Sequence, residues 1–160
     1  MSHDPHDSVD APEPSAATFT TSLSEPGRGV TVTIGAQWGD EGKGKWIDHL
    51  SPHYDIIGRY QGGNNAGHTI YFKGQKLVLH LLPSGLLHEG KVGVLGTGVV
   101  IDPVALLDEL ETVKAQLPLE PERLWISRRA HIVTPWHIHV DGVQEDTKSQ
   151  PVGTTRRGIG

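Results

Sequence analysis

An α/β fold with a mainly parallel sheet is what three observations in this 160-residue chain predict. A β-branched run, Val30 to Ile34, feeds a glycine-rich loop that is followed by a helical segment. Asp102-Pro103 opens an amphipathic segment between two short apolar runs, and Thr134-Pro135 opens another after the second run. Strands alternating with capped helices are the pattern of βα units, whose strands run parallel. The expected architecture is therefore a mainly parallel sheet with a P-loop-like glycine loop, flanking helices and one inserted β-hairpin.

Each element has a local reason. Val30 to Ile34 reads as a strand because Val, Thr and Ile are stiff at χ1 and suit a pleated surface. Gly35 to Lys45 is a glycine loop, and Trp46 to Leu50 continues as helix. Residues 69–82 read as a hairpin: Thr69 to Phe72, a turn around Lys73-Gly74-Gln75-Lys76, then Leu77 to Leu82. Lys91 to Leu95 is a second short buried strand. Asp102 is a helix N-cap with Pro103 at the first helical position. Val104, Leu106, Leu107, Leu110, Val113 and Leu117 follow helical spacing behind it. Arg123 to Ser127 reads as a strand, and Thr134-Pro135 starts a further helix by the same capping logic.

Composition divides the chain in two. Residues 1–29 carry Asp4, Asp7, Asp10, Glu13 and Glu25 against Arg28 alone, with four prolines and few large apolar groups. Such a segment cannot bury enough apolar surface to offset its ordering entropy, so a disordered acidic tail is expected there. Residues 30–160 hold the folded part, a single domain or part of one. The formal net charge of −5 leaves no basic surplus to displace counterions from a phosphate backbone, which argues against a nucleic-acid partner. With no cysteine there is no disulfide framework, thiolate zinc site or thiol nucleophile. No run approaches the ~18 apolar residues of a membrane span, and the first residues lack a signal-peptide core. A cytoplasmic protein is expected.

Three polar, glycine-rich constellations carry the candidate chemistry. From Gly39, the spacing Gly-x4-Gly44-Lys45 fits the first seven positions of a phosphate-cradling loop, whose glycines turn backbone N–H groups toward a phosphate. The eighth position is Trp46, where Ser or Thr would hold Mg²⁺. A metal nucleotide bound here needs another hard ligand, and Asp40 is the carboxylate inside the loop. The alternative is a glycine-rich turn with two solvated lysines. The second constellation, Gln61 to Thr69, contains three glycines, Asn64, Asn65 and His68. His68 alone there exchanges protons near neutral pH, although a lone loop histidine can equally be structural. The third, Gly153-Thr-Thr-Arg-Arg157, suits a phosphate monoester or serves as a hydroxyl-capped surface loop. His131, His137 and His139 invite a metal reading, but an i, i+2 pair does not share a helical face.

These residues carry a family resemblance. Gly35 to Lys45, Tyr60 to Thr69, Leu79-His-Leu-Leu-Pro-Ser-Gly85 and Gly153-Thr-Thr-Arg-Arg-Gly-Ile-Gly160 are similar, in the same order, to motifs of adenylosuccinate synthetase. The resemblance covers residues 30–160, the N-terminal part of that family's longer chain. It implies a GTP-dependent ligase joining IMP and L-aspartate to give adenylosuccinate, GDP and phosphate, with Mg²⁺ and as a homodimer. By position, Asp40 would be the general base toward N1 of IMP, His68 the general acid, and Lys43 would reach the reacting phosphates. Gly39, Asp40, Glu41, Gly42, Lys43, Gly44, Lys45, Gly67, His68 and Thr69 match GTP-binding positions. Asp40, Glu41, Gly42, Lys43, Asn65, Ala66, Gly67, His68 and Thr155 match IMP-binding positions. Asp40 and the carbonyl of Gly67 match Mg²⁺ ligands.

The resemblance also implies that the guanine- and aspartate-recognition segments lie past Gly160. The expectation is thus a fragment, truncated inside a ligand loop and inactive by itself. Two other readings compete: another P-loop enzyme such as a GTPase or small-molecule kinase, or a non-catalytic nucleotide-binding remnant. The missing Ser/Thr after Lys45 speaks against the first. An Asp40→Asn change separates the second from an enzyme.

Overall fold

The structure, a computed structural model, describes residues 29–37, 41–147 and 153–159. The tail expected over residues 1–29 lies outside these apart from Gly29, as do Gly39 and Asp40. A parallel sheet is built from β1 (Ile56–Gly62), β4 (Val92–Ile101) and β5 (Leu124–Ile126), in the order β1-β4-β5. The two-residue β6 (His131–Ile132) pairs with the far end of β4. A separate antiparallel hairpin consists of β2 (His68–Phe72) and β3 (Gln75–Leu79). Among the described residues three α-helices flank them: α1 (Lys43–Leu50), α2 (Pro103–Lys114) and α3 (Pro135–Thr147).

Local rules account for most of the boundaries. The Asp102 carboxylate accepts from the amides of Val104 and Ala105, so α2 starts where the capping signal places it. The hairpin turns on Lys73 (φ 48°) and Gly74 (φ 79°). Two successive left-handed residues match the twist of the flanking strands. At α3, the N–H of Thr134 donates to His137 Nδ1 and the amide of Ile138 donates back to the Thr134 carbonyl. His137, which the metal reading had considered, is thus occupied in a capping interaction.

Three expectations need correction. Val30 to Ile34 forms no strand: its backbone has no ladder among the described residues, and Val30, Val32 and Ile34 are 93, 64 and 70% exposed. A strand needs a neighbour for its N–H and C=O groups, and propensity does not supply one. The expected strand over Lys91 to Leu95 instead runs on to Ile101. It does so through Gly96-Thr-Gly98, where the register against β1 shifts between Arg59 and Gln61. A Cβ on Gly98 would lie 2.6 Å from the Tyr60 carbonyl, so the close approach at this bulge requires glycine. The second hairpin strand ends at Leu79 rather than Leu82, because the next three amides leave the ladder for a side chain of α2. The sequence reading names no element over Ile56–Tyr60, and Gln61 and Gly62, which it places in a polar loop, complete β1 instead.

One core joins these pieces. Leu95, Val99 and Ile101 of β4 meet Ile70, Leu77 and Leu79 of the hairpin, Leu81 and Leu86 of the following segment, and Leu106 and Val113 of α2. The helix buries only part of its apolar set: Val104 and Leu107 remain exposed.

Candidate functional site

The glycine loop enters α1 through Gly42, whose φ of 80° is left-handed and whose carbonyl accepts from the amides of Lys45 and Trp46. A side chain there would be strained, which explains the glycine. Glu41 ion-pairs with Lys43 and accepts from the amide of Gln37 at 3.2 Å. Gly44, in the first turn of α1, faces β2: a Cβ on it would come within 3.1 Å of His68 Cβ. Its carbonyl accepts from Ser84 Oγ at 3.3 Å. Gly85, next to Ser84, packs where any Cβ would overlap the buried Ser51 hydroxyl and Ile57. The Pro83-Ser84-Gly85 turn is therefore the floor on which α1 rests.

His68 begins β2 and is half-buried. Its pKa is held below the ordinary imidazole value, first by burial, then by the positive charges of Arg59 and Lys43 and by His80, with Glu109 opposing. It is thus neutral near pH 7, and its remaining N–H is a hydrogen-bond donor. The loop before it is held from beneath. Arg59 on β1 donates to the carbonyls of Gly63 (2.8 Å), Gln61 (3.4 Å) and His80. Burial pulls this guanidinium below its ordinary value, with Glu109 opposing. Glu109, 7% exposed on α2, accepts from the amides of His80, Leu81 and Leu82 at 2.8, 2.8 and 3.1 Å. His80 Nδ1 lies 3.2 Å from the Ala66 carbonyl, and its ring packs against Gly67, where a Cβ would sit 3.0 Å from Cε1.

The third constellation docks onto the same loop. Arg157 Nη1 donates to the Asn64 carbonyl at 2.5 Å, and a Cβ on Gly63 would lie 2.7 Å from the Ile159 Cδ1 methyl. Residues 153–159 are strapped to α3 by carboxylates one helical turn apart. Glu145 accepts from the amides of Gly153 (2.5 Å) and Thr154 (3.3 Å), and Asp141 accepts from Gly158 at 2.9 Å. Asp146 pairs with Arg156 at 2.6 Å on the surface. Gly158 (φ 65°) runs so close to α3 that a Cβ would meet the Ile138 nitrogen at 2.7 Å.

Of the sequence-derived site residues, Lys43, Gly44, Gly67 and His68 converge at the junction of α1 and β2. Glu41, Gly42 and Lys45 belong to the same loop and helix start. Thr69 follows His68 on β2, and Asn65 and Ala66 are exposed at the loop's rim. Thr155 is exposed on the strapped loop, whose tie to this junction runs through Arg157 and Asn64. Gly39 and Asp40 lie outside the described residues. Among those described, no group of three or more His, Asp or Glu side chains is placed to hold a metal ion. No described helix is long and apolar enough to cross a membrane.

The sequence reading missed Arg59, Glu109, Asp141 and Glu145. A signal existed for Glu109, which occupies the buried stripe of α2 three residues after Leu106 and four before Val113. A carboxylate on an apolar stripe needs partners. Glu145 is likewise the buried residue of α3.

Comparison with known proteins gives a consistent result. A family model described as adenylosuccinate synthetase matches residues 32–160. The adenylosuccinate synthetase of Chlorobium phaeobacteroides is 56% identical over 141 residues, covering 87% of this chain and 32% of the relative. That of Brevibacillus brevis is 52% identical over 132 residues, 82% of this chain and 31% of the relative. The chain thus spans about a third of the length of these curated relatives. Among solved structures, the fully ligated adenylosuccinate synthetase from Plasmodium falciparum superposes with a TM-score of 0.71 at 48% identity. It is matched over 79% of this chain and 30% of its own. The cyanophage S-2L succinoaminodeoxyadenylate synthetase (PurZ), bound to dGMP and to dATP as an energy donor, gives a TM-score of 0.56 at 29% identity. That match covers 76% of this chain and 33% of the cyanophage one.

Proposed function

The chain belongs to the adenylosuccinate synthetase family, and on that premise we propose that it supplies the phosphoryl-transfer half of a GTP-dependent ligase joining IMP to L-aspartate. The observation that carries this reading is the seating of His68 on Gly44, within reach of the positive charges of Arg59 and Lys43. Phosphoryl transfer needs mainly positioning and positive charge around the transferred group. A glycine-lined helix start, a lysine and a neutral imidazole N–H meet that need. The higher identity to the adenylosuccinate synthetases than to the cyanophage enzyme favours IMP and GTP over dGMP and dATP.

In the proposed reaction Asp40 removes the proton from N1 of IMP, and the 6-oxygen attacks the γ-phosphorus of GTP as GDP leaves. Lys43 neutralises phosphate charge. His68 donates its N–H to the reacting oxygens, and the triphosphate's negative charge raises its proton affinity on binding. The amine of aspartate then displaces phosphate from C6. Glu41, Gly42, Asn65, Ala66 and Thr155 hold IMP, while Gly39, Gly44, Lys45, Gly67 and Thr69 hold the triphosphate. The hard oxygens of the Asp40 carboxylate and the Gly67 carbonyl suit Mg²⁺, which when bound offsets phosphate charge. The complete enzyme is a cytoplasmic homodimer in this reading.

GTP turnover with and without IMP and aspartate tests it, in the whole gene product and in its Asp40→Asn variant. Phosphate release should require both substrates, and the variant should lose about 10²–10⁴-fold in rate, the contribution of a positioned base. Release independent of IMP would instead identify a plain GTPase.

A further inference from the structure

The His80 peptide is gripped from both sides by opposite charges. Its carbonyl accepts from Arg59 and its N–H donates to Glu109, 29 residues away on α2. The same two side chains spread onto the flanking backbone, Arg59 to Gln61 and Gly63, Glu109 to Leu81 and Leu82. Six backbone groups are therefore satisfied by one guanidinium and one carboxylate. Neither side chain hydrogen-bonds His68, although both charges reach its imidazole. The imidazole of the gripped residue does reach the site loop: its Nδ1 lies 3.2 Å from the Ala66 carbonyl, and its Cε1 edge fills the space a Gly67 side chain would occupy.

We propose that Arg59 and Glu109 form a charge clamp on the His80 peptide, and that the His80 ring transmits it by positioning the Ala66–His68 segment. All three are positioning residues. The catalytic consequence rests on the ligase reading of His68 and Gly67 given above. The physical case does not. Charge-assisted bonds are about twice as strong as neutral ones. A planar guanidinium fork also presents its donors in fixed, spread directions to three carbonyls, whereas a lysine ammonium is a single point charge on a flexible stem. Without the clamp, the β1 pairing of Gln61 and Gly62 and the Arg157 and Ile159 contacts at Asn64 and Gly63 would still hold the start of the loop. The loss would fall on its Ala66–Gly67 end, where the ordering entropy is unopposed. Glycine at 67 lets the His80 ring approach, so the loop's shape depends on a side chain outside it.

Backbone ¹⁵N order parameters, measured on the whole gene product without nucleotide, test the clamp. In the unaltered chain Ala66, Gly67 and His68 should sit near the rigid value of about 0.85. Glu109→Gln places an NH₂ against donating amides, and Arg59→Lys keeps the charge but loses the fork. Both should drop Ala66–His68 to about 0.6 or below while Leu95 and Val99 stay rigid. His80→Ala should loosen the same three residues yet leave Leu81 and Leu82 ordered, because the peptide is still gripped. Unchanged values at Ala66–His68 in all three variants would overturn the proposal. So would equal loosening of Leu95 and Val99, which marks general destabilisation. If Glu109→Gln does not fold, the other two variants decide. Failure of the ligase reading appears separately, as IMP-independent turnover, and leaves these measurements untouched.

Discussion

His68 is where single-residue chemistry concentrates, and its environment sets a measurable sign. Burial and the cations Arg59 and Lys43 hold its folded pKa below the ordinary value near 6.5. Between the two values the unfolded chain binds more protons, so stability is fully present above about pH 6.5 and is lost as pH falls toward the folded pKa. Imidazole titration by NMR should therefore give a midpoint below 6.5, and His68→Asn should flatten this acid-side loss in denaturant melts. A midpoint at or above 6.5 would contradict the burial and charge described here. The neighbouring Gly44 is also predictive. Gly44→Ala puts a methyl 3.1 Å from His68 Cβ, so His68 or the start of α1 must move by a few tenths of an ångström. The His68 resonances should shift while the melting transition hardly changes.

At the scale of elements, caps and straps carry stabilisation that can be removed one at a time. Asp102→Ala deletes the two bonds that start α2 and should cost about 1 kcal/mol in urea unfolding. Glu145→Ala should release Gly153 and Thr154 from α3 while the Asp141–Gly158 and Asp146–Arg156 ties remain. The freed Gly153 and Thr154 amides should exchange faster while amides of β4 keep their protection. The expected cost is about 1–3 kcal/mol, as for other lost buried partners. The start of α2 and the hairpin turn were legible because an Asp-Pro pair and a Lys-Gly pair act within a few residues of themselves. The end of β3 was not, since Glu109 captures its continuing amides from 27 to 29 residues away.

Across the whole molecule, β4 is the organising strand, paired with β1, β5 and β6 and buried at Leu95, Val99 and Ile101. Leu95 is 0% exposed. Leu95→Ala should cost about 2–5 kcal/mol and lower one cooperative transition rather than detach one element. Separate loss of the hairpin would show that the core does not join it to the sheet.

Composition and short spacing, without coordinates, determined the α/β class, the capped helices, the hairpin and the three polar loops, because capping, turn conformation and side-chain period are local. They also pointed to Gly44, Lys45 and His68, and the family resemblance added Lys43 and Gly67. Only the tertiary structure decided that Val30–Ile34 lacks a ladder, that β4 runs on through a bulge at Gly96–Gly98, and that Arg59, Glu109 and Glu145 hold the loops. These outcomes depend on which backbone groups find partners beyond the reach of local rules, 8 residues away for Glu145 and Gly153 and 29 for Glu109 and His80. Such pairing is selected by burial and hydrogen-bond satisfaction in three dimensions, and it leaves no spacing in the sequence to read.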